Sequence, residues 1–571
     1  MDTQRLIALI VFTFSGLMLW EAWNKHNRPP QAPDAIVQAA AATGAPAEVA
    51  AKASIPAATP SATAVASAVP QTNGALAAPT VIVPKSASRI YVKTDVLAVE
   101  VDTQGGDIRS VSLLKHPLPG KKDGSFNLMQ DKVGNYFIAQ SGLLGSGLPN
   151  HTSLWTATTA RDKFDLGVDG QIELALTNAD LAGVVVTKTF VFKRGSYVVD
   201  VRYQIKNEGA VPLEAKAYFQ FLRDGNPPEG ESSGSNPFTA GVATFTGPAI
   251  YTDLKKYQKV NFSDIDKNKQ DAVKEAADGW VAMVQHYFVS AWLPGTGLKR
   301  EFFTKKVSDN LYSAGVILPV EAIAAAGIGG IAVPLYLGPQ EQGSLKQLAP
   351  GLDLVVDYGF LTILASPMFA VLSFLNNIVG NWGWTIIIFT ILLKLVFFPL
   401  NQKAGKSMAH MKTMAPKIEA MKARYGDDKL KMNQAMMELY KTEKVNPLGG
   451  CLPIVVQIPF FIALYWVLLG AVELRNAPWM GWISDLSTPD PFYVLPVIMG
   501  ASMFIQTKLN PAPPDPVQAK VMLIMPLVFS VMFFFFPAGL VLYWTMQNIL
   551  GIGQQWYINK TFSPASVKSS K

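Results

Sequence analysis

The sequence predicts a multi-domain membrane protein: an α-helical core of five spans plus an N-terminal signal-anchor helix, an all-β sandwich domain outside the membrane, and a helical hairpin on the opposite side. Three observations predict this. The longest apolar runs cluster after residue 358, period-two alternation fills residues 81–345, and an Ala/Pro-rich tract separates that region from a short apolar segment at the start. The 571 residues exceed one ordinary domain, and 49% of them are hydrophobic.

Residues 1–28 hold LIALIVFTFSGLMLW (6–20) behind Arg5. The run has the length of a signal-peptide core, but EAWNKHNR after it offers no small-x-small cleavage site, so it reads as an uncleaved anchor. Trp20 and Trp23 suit the far interface and place residue 1 inside. Residues 29–80 are Ala, Pro, Ser and Thr with almost no large apolar side chains, which makes them a tether. Residues 81–345 carry strand patterns such as RIYVKTDVLAVEVD (89–102) and VVVTKTFVFKRGSYVVDVRYQIKN (184–207), punctuated by GG, NG, RG and PG pairs. His116, His151 and His286 stand apart there and match no zinc or catalytic spacing, so they are read as structural.

The membrane core is expected over 381–560, with spans at 382–400, 450–471 and 491–508. The apolar run 521–556 would be about 54 Å long as one helix, too long for a single crossing. Pro537 and Gly539 split it into 521–536 and 538–556, both short enough to favour local thinning of the bilayer. The loop 401–449 holds ten Lys and Arg against five acids, whereas 472–490 holds one Arg against three acids. The basic loop is therefore assigned to the inside. With the β-domain outside, only one crossing fits between residue 345 and that loop, so 346–380 is expected as an interfacial amphipathic segment. Six spans follow, with both termini inside and a basic tail at 561–571. The net charge of +7 is thus a topology signal, and no RNP-like or zinc motif points to nucleic acid. Cys451, the single cysteine, excludes an internal disulfide.

The inside loop, 401–447, is expected as a hairpin. Met408, Met411, Met414, Ile418 and Met421 recur at helical spacing; Gly426, Asp427 and Asp428 break and recap a second helix with Met432, Met436 and Leu439. A Met-lined seam between helices and an adaptable surface for varied apolar segments are compatible readings. Lys394 interrupts an apolar run, where a cation costs roughly 2.5 to 3.5 kcal/mol at mid-membrane. Thr390 shares its helix face, and Gln457, Tyr465, Gln506, Tyr543, Trp544, Gln547 and Asn548 are polar company in other spans. A hydrated cavity would use them all. Snorkelling of Lys394 to the headgroups, and Gln and Asn as helix-packing glue, are the alternatives. No Asp, Glu or His lies within the five spans apart from edge positions such as Glu473, which disfavours a proton-coupled transporter. HExxH and P-loop patterns are missing as well, so neither protease nor ATPase chemistry is expected.

TKTFVFKRGSY (187–197), VGNWGWTIIIFTILLKLVFFPL (379–400), YGDDKLKMNQAMMELYKTEKVNPLGGCLPIVVQIPFFIALYWVL (425–468) and FPAGLVLYWTMQNIL (536–550) resemble the YidC/Oxa/Alb family, in its Gram-negative form with a large periplasmic domain. The resemblance covers nearly the whole chain and is weakest in the tether. It implies a non-enzymatic membrane protein insertase and chaperone of the bacterial inner membrane, without cofactor or metal. It also implies a five-span core around a hydrophilic groove and a β-supersandwich in the periplasm. Lys394 falls on the family's positive groove position, where arginine is common, so point-charge attraction is retained and bidentate recognition is not. Thr390 and Trp544 match substrate-contacting positions, Gln457 a polar groove position, and 404–443 the cytoplasmic hairpin. Implied partners are nascent membrane proteins, the Sec translocon and the lipid bilayer. The ribosome and the signal recognition particle receptor are further candidates, and no direct nucleic-acid readout is implied.

Overall fold

The computed structural model describes residues 88–118, 124–228, 245–425, 428–443, 452–509 and 516–562. The expected anchor (1–28) and tether (29–80), Gly426, Asp427, VNPLGG (445–450), Cys451 and the tail beyond 562 lie outside these residues. The alternation in the first half is realised as two sheets, of ten and nine strands. Strand Val198–Asn207 shows why: Val199, Val201, Tyr203 and Ile205 face inward while Arg202, Gln204 and Lys206 face solvent. It pairs antiparallel with Val184–Lys193 and with Ile328–Pro339. Across the sandwich, Leu213–Asp224 and Leu311–Ile323 pair over their full length apart from one bulge, and contribute Phe219, Phe221, Val316 and Leu318 to the shared core. Each such fully buried side chain contributes about 1.5 to 3 kcal/mol of apolar transfer.

One inward position breaks the pattern. Lys188 is fully buried, donates to the Gly105 and Ser141 carbonyls at 3.3 Å each, and lies 5.3 to 5.8 Å from the Phe190, Tyr203 and Trp155 rings. Burial pushes its ammonium down to about 8, against the opposing pull of Asp107. The three histidines are structural as expected. His116 Nε2 meets the Tyr197 hydroxyl at 3.2 Å, His151 bonds to the Tyr218 hydroxyl, and His286 Nε2 meets the Leu469 carbonyl at 3.2 Å.

That last contact crosses from the β-domain to the helices, which comprise α1 (Thr362–Val379), α2 (Trp382–Val396), α3 (Phe398–Tyr425), α4 (Lys429–Thr442), α5 (Leu452–Gly470), α6 (Val494–Leu509), α7 (Pro516–Phe533) and α8 (Ala538–Phe562). A continuous apolar cluster joins Tyr251, Trp280 and Tyr336 of one sheet to Leu345, Leu352 and Leu361, and on to Leu372, Ile386 and Leu464. Arg475, just beyond α5, pins the contact. Its Nη2 donates to the Pro117 carbonyl at 2.9 Å, and its guanidinium lies 5.0 Å from Phe288, 5.2 Å from Phe126 and 5.8 Å from Tyr287.

The helical half is built from short pieces. The helix at Lys394 stops at Val396, four residues before the expected end at 400, and the chain bends by 61° into α3. Pro399 explains the break, because it offers no N–H to the Leu395 carbonyl and its ring crowds that carbonyl, whereas a proline is tolerated in the first turn of a helix. The first hairpin helix consequently starts at Phe398, before the expected 401. At 15, 16 and 18 residues, α2, α6 and α7 are about 22, 24 and 27 Å long, against a hydrocarbon core of about 30 Å. Among the described residues, α1 alone is long and apolar enough to cross a membrane; α2 with the start of α3 passes as a bent pair. One face of α1 is buried through Ala365, Met368, Phe369 and Leu372, while Ile363, Phe374 and Ile378 are exposed.

The loop after α5 caps the bundle at the β-domain end. Asn381 donates to the Pro478 and Trp479 carbonyls at 3.2 and 3.1 Å, and Gly383 makes room for Trp479, whose ring a Cβ would strike at 2.1 Å. Asp490 accepts from Trp482 Nε1 and from the backbone of Phe492 and Leu495, starting α6. The amides of Ala538 and Gly539 donate to Thr488 and Leu486, which holds the start of α8 to the same loop.

Candidate functional site

Helices α6 and α8 meet α2 at Lys394. It sits in the last turn of α2, half-buried, and among the described residues it has no ion pair or hydrogen bond. Its ammonium lies against α8 at Gly551, where a Cβ would stand 3.7 Å from Nζ and 3.0 Å from Gln506 Nε2 of α6. Seven residues beyond Lys394 and past the bend, Asn401 of α3 accepts from Gln457 Nε2 of α5 at 3.2 Å. Both Gln457 and Gln547 are nearly buried.

Helix α8 divides its polar residues between two stripes. Tyr543, Gln547, Gly551 and Gln554 follow one another at spacings of four, four and three, so they share a face. Trp544 and Asn548 lie on the next face, about 100° round. There the Trp544 ring packs on Phe533 at 4.8 Å and Phe461 at 6.2 Å, and Asn548 Nδ2 donates to Ser502 Oγ at 3.1 Å. The first stripe carries unmet polarity. The Tyr543 hydroxyl, Gln547 Oε1, Gln554 Nε2 and Asn401 Nδ2 are all buried with no hydrogen-bond partner among the described residues. Such groups cost about 1 to 3 kcal/mol each when left unpaired.

The structure therefore places Lys394 and Gln506 at Gly551 and joins Gln457 to Asn401, while Tyr543 and Gln547 lie on the helix face that carries Gly551 and Trp544 and Asn548 lie on the next. Thr390 is fully buried, and its hydroxyl donates to the Ile386 carbonyl at 2.6 Å within its own helix. Asn401, Gly551 and Gln554 were not singled out from the sequence. Gln554 was legible as the seventh residue after Gln547 on one helical face. Asn401 was hidden because the bend that aims it inward lies at Pro399.

In the hairpin, Met414 and Ile418 of α3 pack against Met436, Leu439 and Tyr440 of α4. Met421 and Met432 are half-buried; the side chains of Met408 and Met411 lie outside the described residues. Asp428 caps α4 by accepting from the Lys431 amide at 3.1 Å, and Lys417 pairs with Glu443 at 2.6 Å.

A wide β-sandwich fused to a bundle of short apolar helices around a lysine and several amides defines a two-part integral membrane protein. Residues 89–371 match the family described as YidC periplasmic domain, and residues 374–565 match the 60Kd inner membrane protein family. The membrane protein insertase YidC of Aromatoleum aromaticum is 51% identical over 567 residues, covering 98% of each chain. That of Dechloromonas aromatica is 50% identical over 562 residues, covering 98% of this chain and 97% of its own. A solved structure described as an active YidC insertase with the first transmembrane domain resolved aligns at TM-score 0.39 and 18% identity, over 83% of this chain and 93% of that one. The chain belongs to the YidC family of membrane protein insertases. It is an inner-membrane protein with a periplasmic β-domain, and its relatives are insertases rather than enzymes.

Proposed function

We propose that the protein inserts nascent membrane proteins through the polar seam between α2, α3, α5, α6 and α8, with Lys394 as an electrostatic receiver. The observation that carries this reading is a lysine without counter-ion among the described residues, beside buried amides with unmet hydrogen bonds. A span arriving at the α3–α4 hairpin on the cytoplasmic side delivers its short polar tail into the seam. The ammonium attracts acidic groups in that tail, and Gln457, Gln547, Asn401 and the Tyr543 hydroxyl replace water around its backbone. The apolar segment then leaves past Trp544 into lipid. Twenty apolar residues at about −0.3 to −0.6 kcal/mol each drive release, and the membrane potential adds about 2.3 kcal/mol per acidic charge per 100 mV.

Short helices lower the barrier in this reading, because α2 and α6 thin the bilayer and shorten the dry path. The loop after α5 closes the seam on the periplasmic side. In the same reading α2, α5, α6, α7 and α8 are the five core spans, α1 lies along the outer interface, residues 1–28 form a sixth span, and both termini are cytoplasmic. The Sec translocon is a partner for which the core acts as a chaperone, and the hairpin and basic tail face the ribosome and the signal recognition particle receptor.

Photo-reactive residues at Gln457, Gln547 and the lipid-facing Ile524 test the path, with a ribosome-stalled single-span substrate. Adducts are expected at Gln457 and Gln547 while the tail is in transit. Adducts confined to Ile524 would remove the seam from the mechanism.

A further inference from the structure

Gly551 and Gly553 both lie inside α8, where a glycine costs about 1 kcal/mol relative to alanine. Their surroundings differ. A Cβ at Gly553 would meet nothing within 4 Å, whereas one at Gly551 would press on the Gln506 amide at 3.0 Å and touch the Lys394 ammonium at 3.7 Å. Gly551 itself is buried. Helices α2, α6 and α8 thus meet at one bare patch of backbone, and the missing side chain is what admits the two polar groups.

The alternative course for Lys394 is visible on its own helix. Leu395 and Val396 are 60% and 72% exposed, so the next positions face lipid, and a lysine left to itself reaches along such a surface to the headgroups. We propose that Gly551 is a positioning and specificity-determining residue: its niche holds the Lys394 ammonium on the polar stripe of α8, beside the Gln506 amide. The amide is a suitable companion because it is neutral. It offers both an acceptor and donors, yet yields the ammonium to a carboxylate, which a resident Asp or Glu would not do. This inference rests on Lys394 acting as receiver for acidic tails.

The test uses the full chain in liposomes and protease protection of two substrates that differ only in an acidic or a neutral tail. The readout is the ratio of acidic-tail to neutral-tail insertion. Gly551→Leu fills the niche and is expected to lower that ratio about tenfold, acidic-tail insertion falling much further than neutral-tail insertion. Gly551→Ala is expected to keep most of the ratio, because its tight contact is with the mobile end of Gln506. Gly553→Leu, which enters open space on the same helix, is expected to leave the ratio unchanged. Gln506→Leu leaves α8 untouched and is expected to lower the ratio about threefold, which keeps the test intact if Gly551→Leu does not accumulate. An unchanged ratio in both Gly551→Leu and Gln506→Leu, or an equal loss on both tails, overturns the niche. Lys394→Ala separates the two claims: if it leaves the ratio unchanged the receiver reading fails, and if it abolishes the ratio while Gly551→Leu does not, only the niche fails.

Discussion

Replacing Arg475 by alanine should loosen the joint between the periplasmic domain and the outer end of α5. The side chain is nearly buried and gives a charge-assisted hydrogen bond to the Pro117 carbonyl within a cage of three aromatic rings. The hydrogen bond contributes about 1.5 to 3 kcal/mol and a desolvated guanidinium over aromatic faces about 0.5 to 2. Taking about 3 kcal/mol for the pair, local opening of the turn at 472–475 becomes about 150-fold more frequent. Hydrogen exchange in nanodiscs reads this at the Leu474 and Ala477 amides, which bond to the Ala471 and Leu474 carbonyls at 3.2 and 3.3 Å. Exchange there should rise about 100-fold, while strands in the sandwich interior keep their protection. Arg475→Lys should fall between, since it keeps charge over the rings but loses the fork. A change below threefold in Arg475→Ala would refute the reasoning and assign the joint to the apolar cluster alone.

Two further outcomes follow from groups whose environments are unfavourable. Tyr543→Phe deletes a buried hydroxyl with no partner among the described residues, so it should stabilise the folded protein by about 1 to 2 kcal/mol in a thermal melt while slowing insertion. A destabilised variant would show that the hydroxyl is paired in the resting state. His116 is pushed down to about 4 by burial first, then by Arg475 and Lys115, with Tyr197 at its Nε2 and Asp95 beside Lys115. A depressed histidine leaves the unfolded state binding more protons between pH 6.5 and 4, so its contribution is full above pH 6.5 and lost on acidification through that window. The loss amounts to about 2 to 3 kcal/mol after allowance for partial exposure, and His116→Gln should flatten the dependence of melting temperature on pH across that window.

The sequence exposed what depends on local periodicity. Alternation in 184–207 is realised as two paired antiparallel strands, and Met414, Ile418, Met436 and Leu439 meet as their helical spacing required. Lys394, Gln457 and Gln547 were legible because an amide or ammonium within an apolar run demands an explanation. Features set by bends and by distant contacts were not. The turn at Pro399 shortened α2 and placed Asn401 at Gln457. Alternation puts Lys188 on the same inward face as Phe190 and Phe192, but nothing local reveals that the Trp155 and Tyr203 rings and two carbonyls from elsewhere in the chain join Phe190 around it. Arg475 read as a single loop charge, since its socket is assembled from residues some 190 to 360 positions earlier.

The charge on Lys394 is the central claim, and one comparison bears on it most directly. Wild type, Lys394→Arg and Lys394→Ala are reconstituted in liposomes, and protease protection of a single-span substrate is followed for acidic and neutral outer tails. The expected result is that arginine supports insertion and alanine fails chiefly on acidic tails. If alanine inserts both substrates as well as wild type, the ammonium is a snorkelling anchor, and the work of insertion belongs to the buried amides and the short helices.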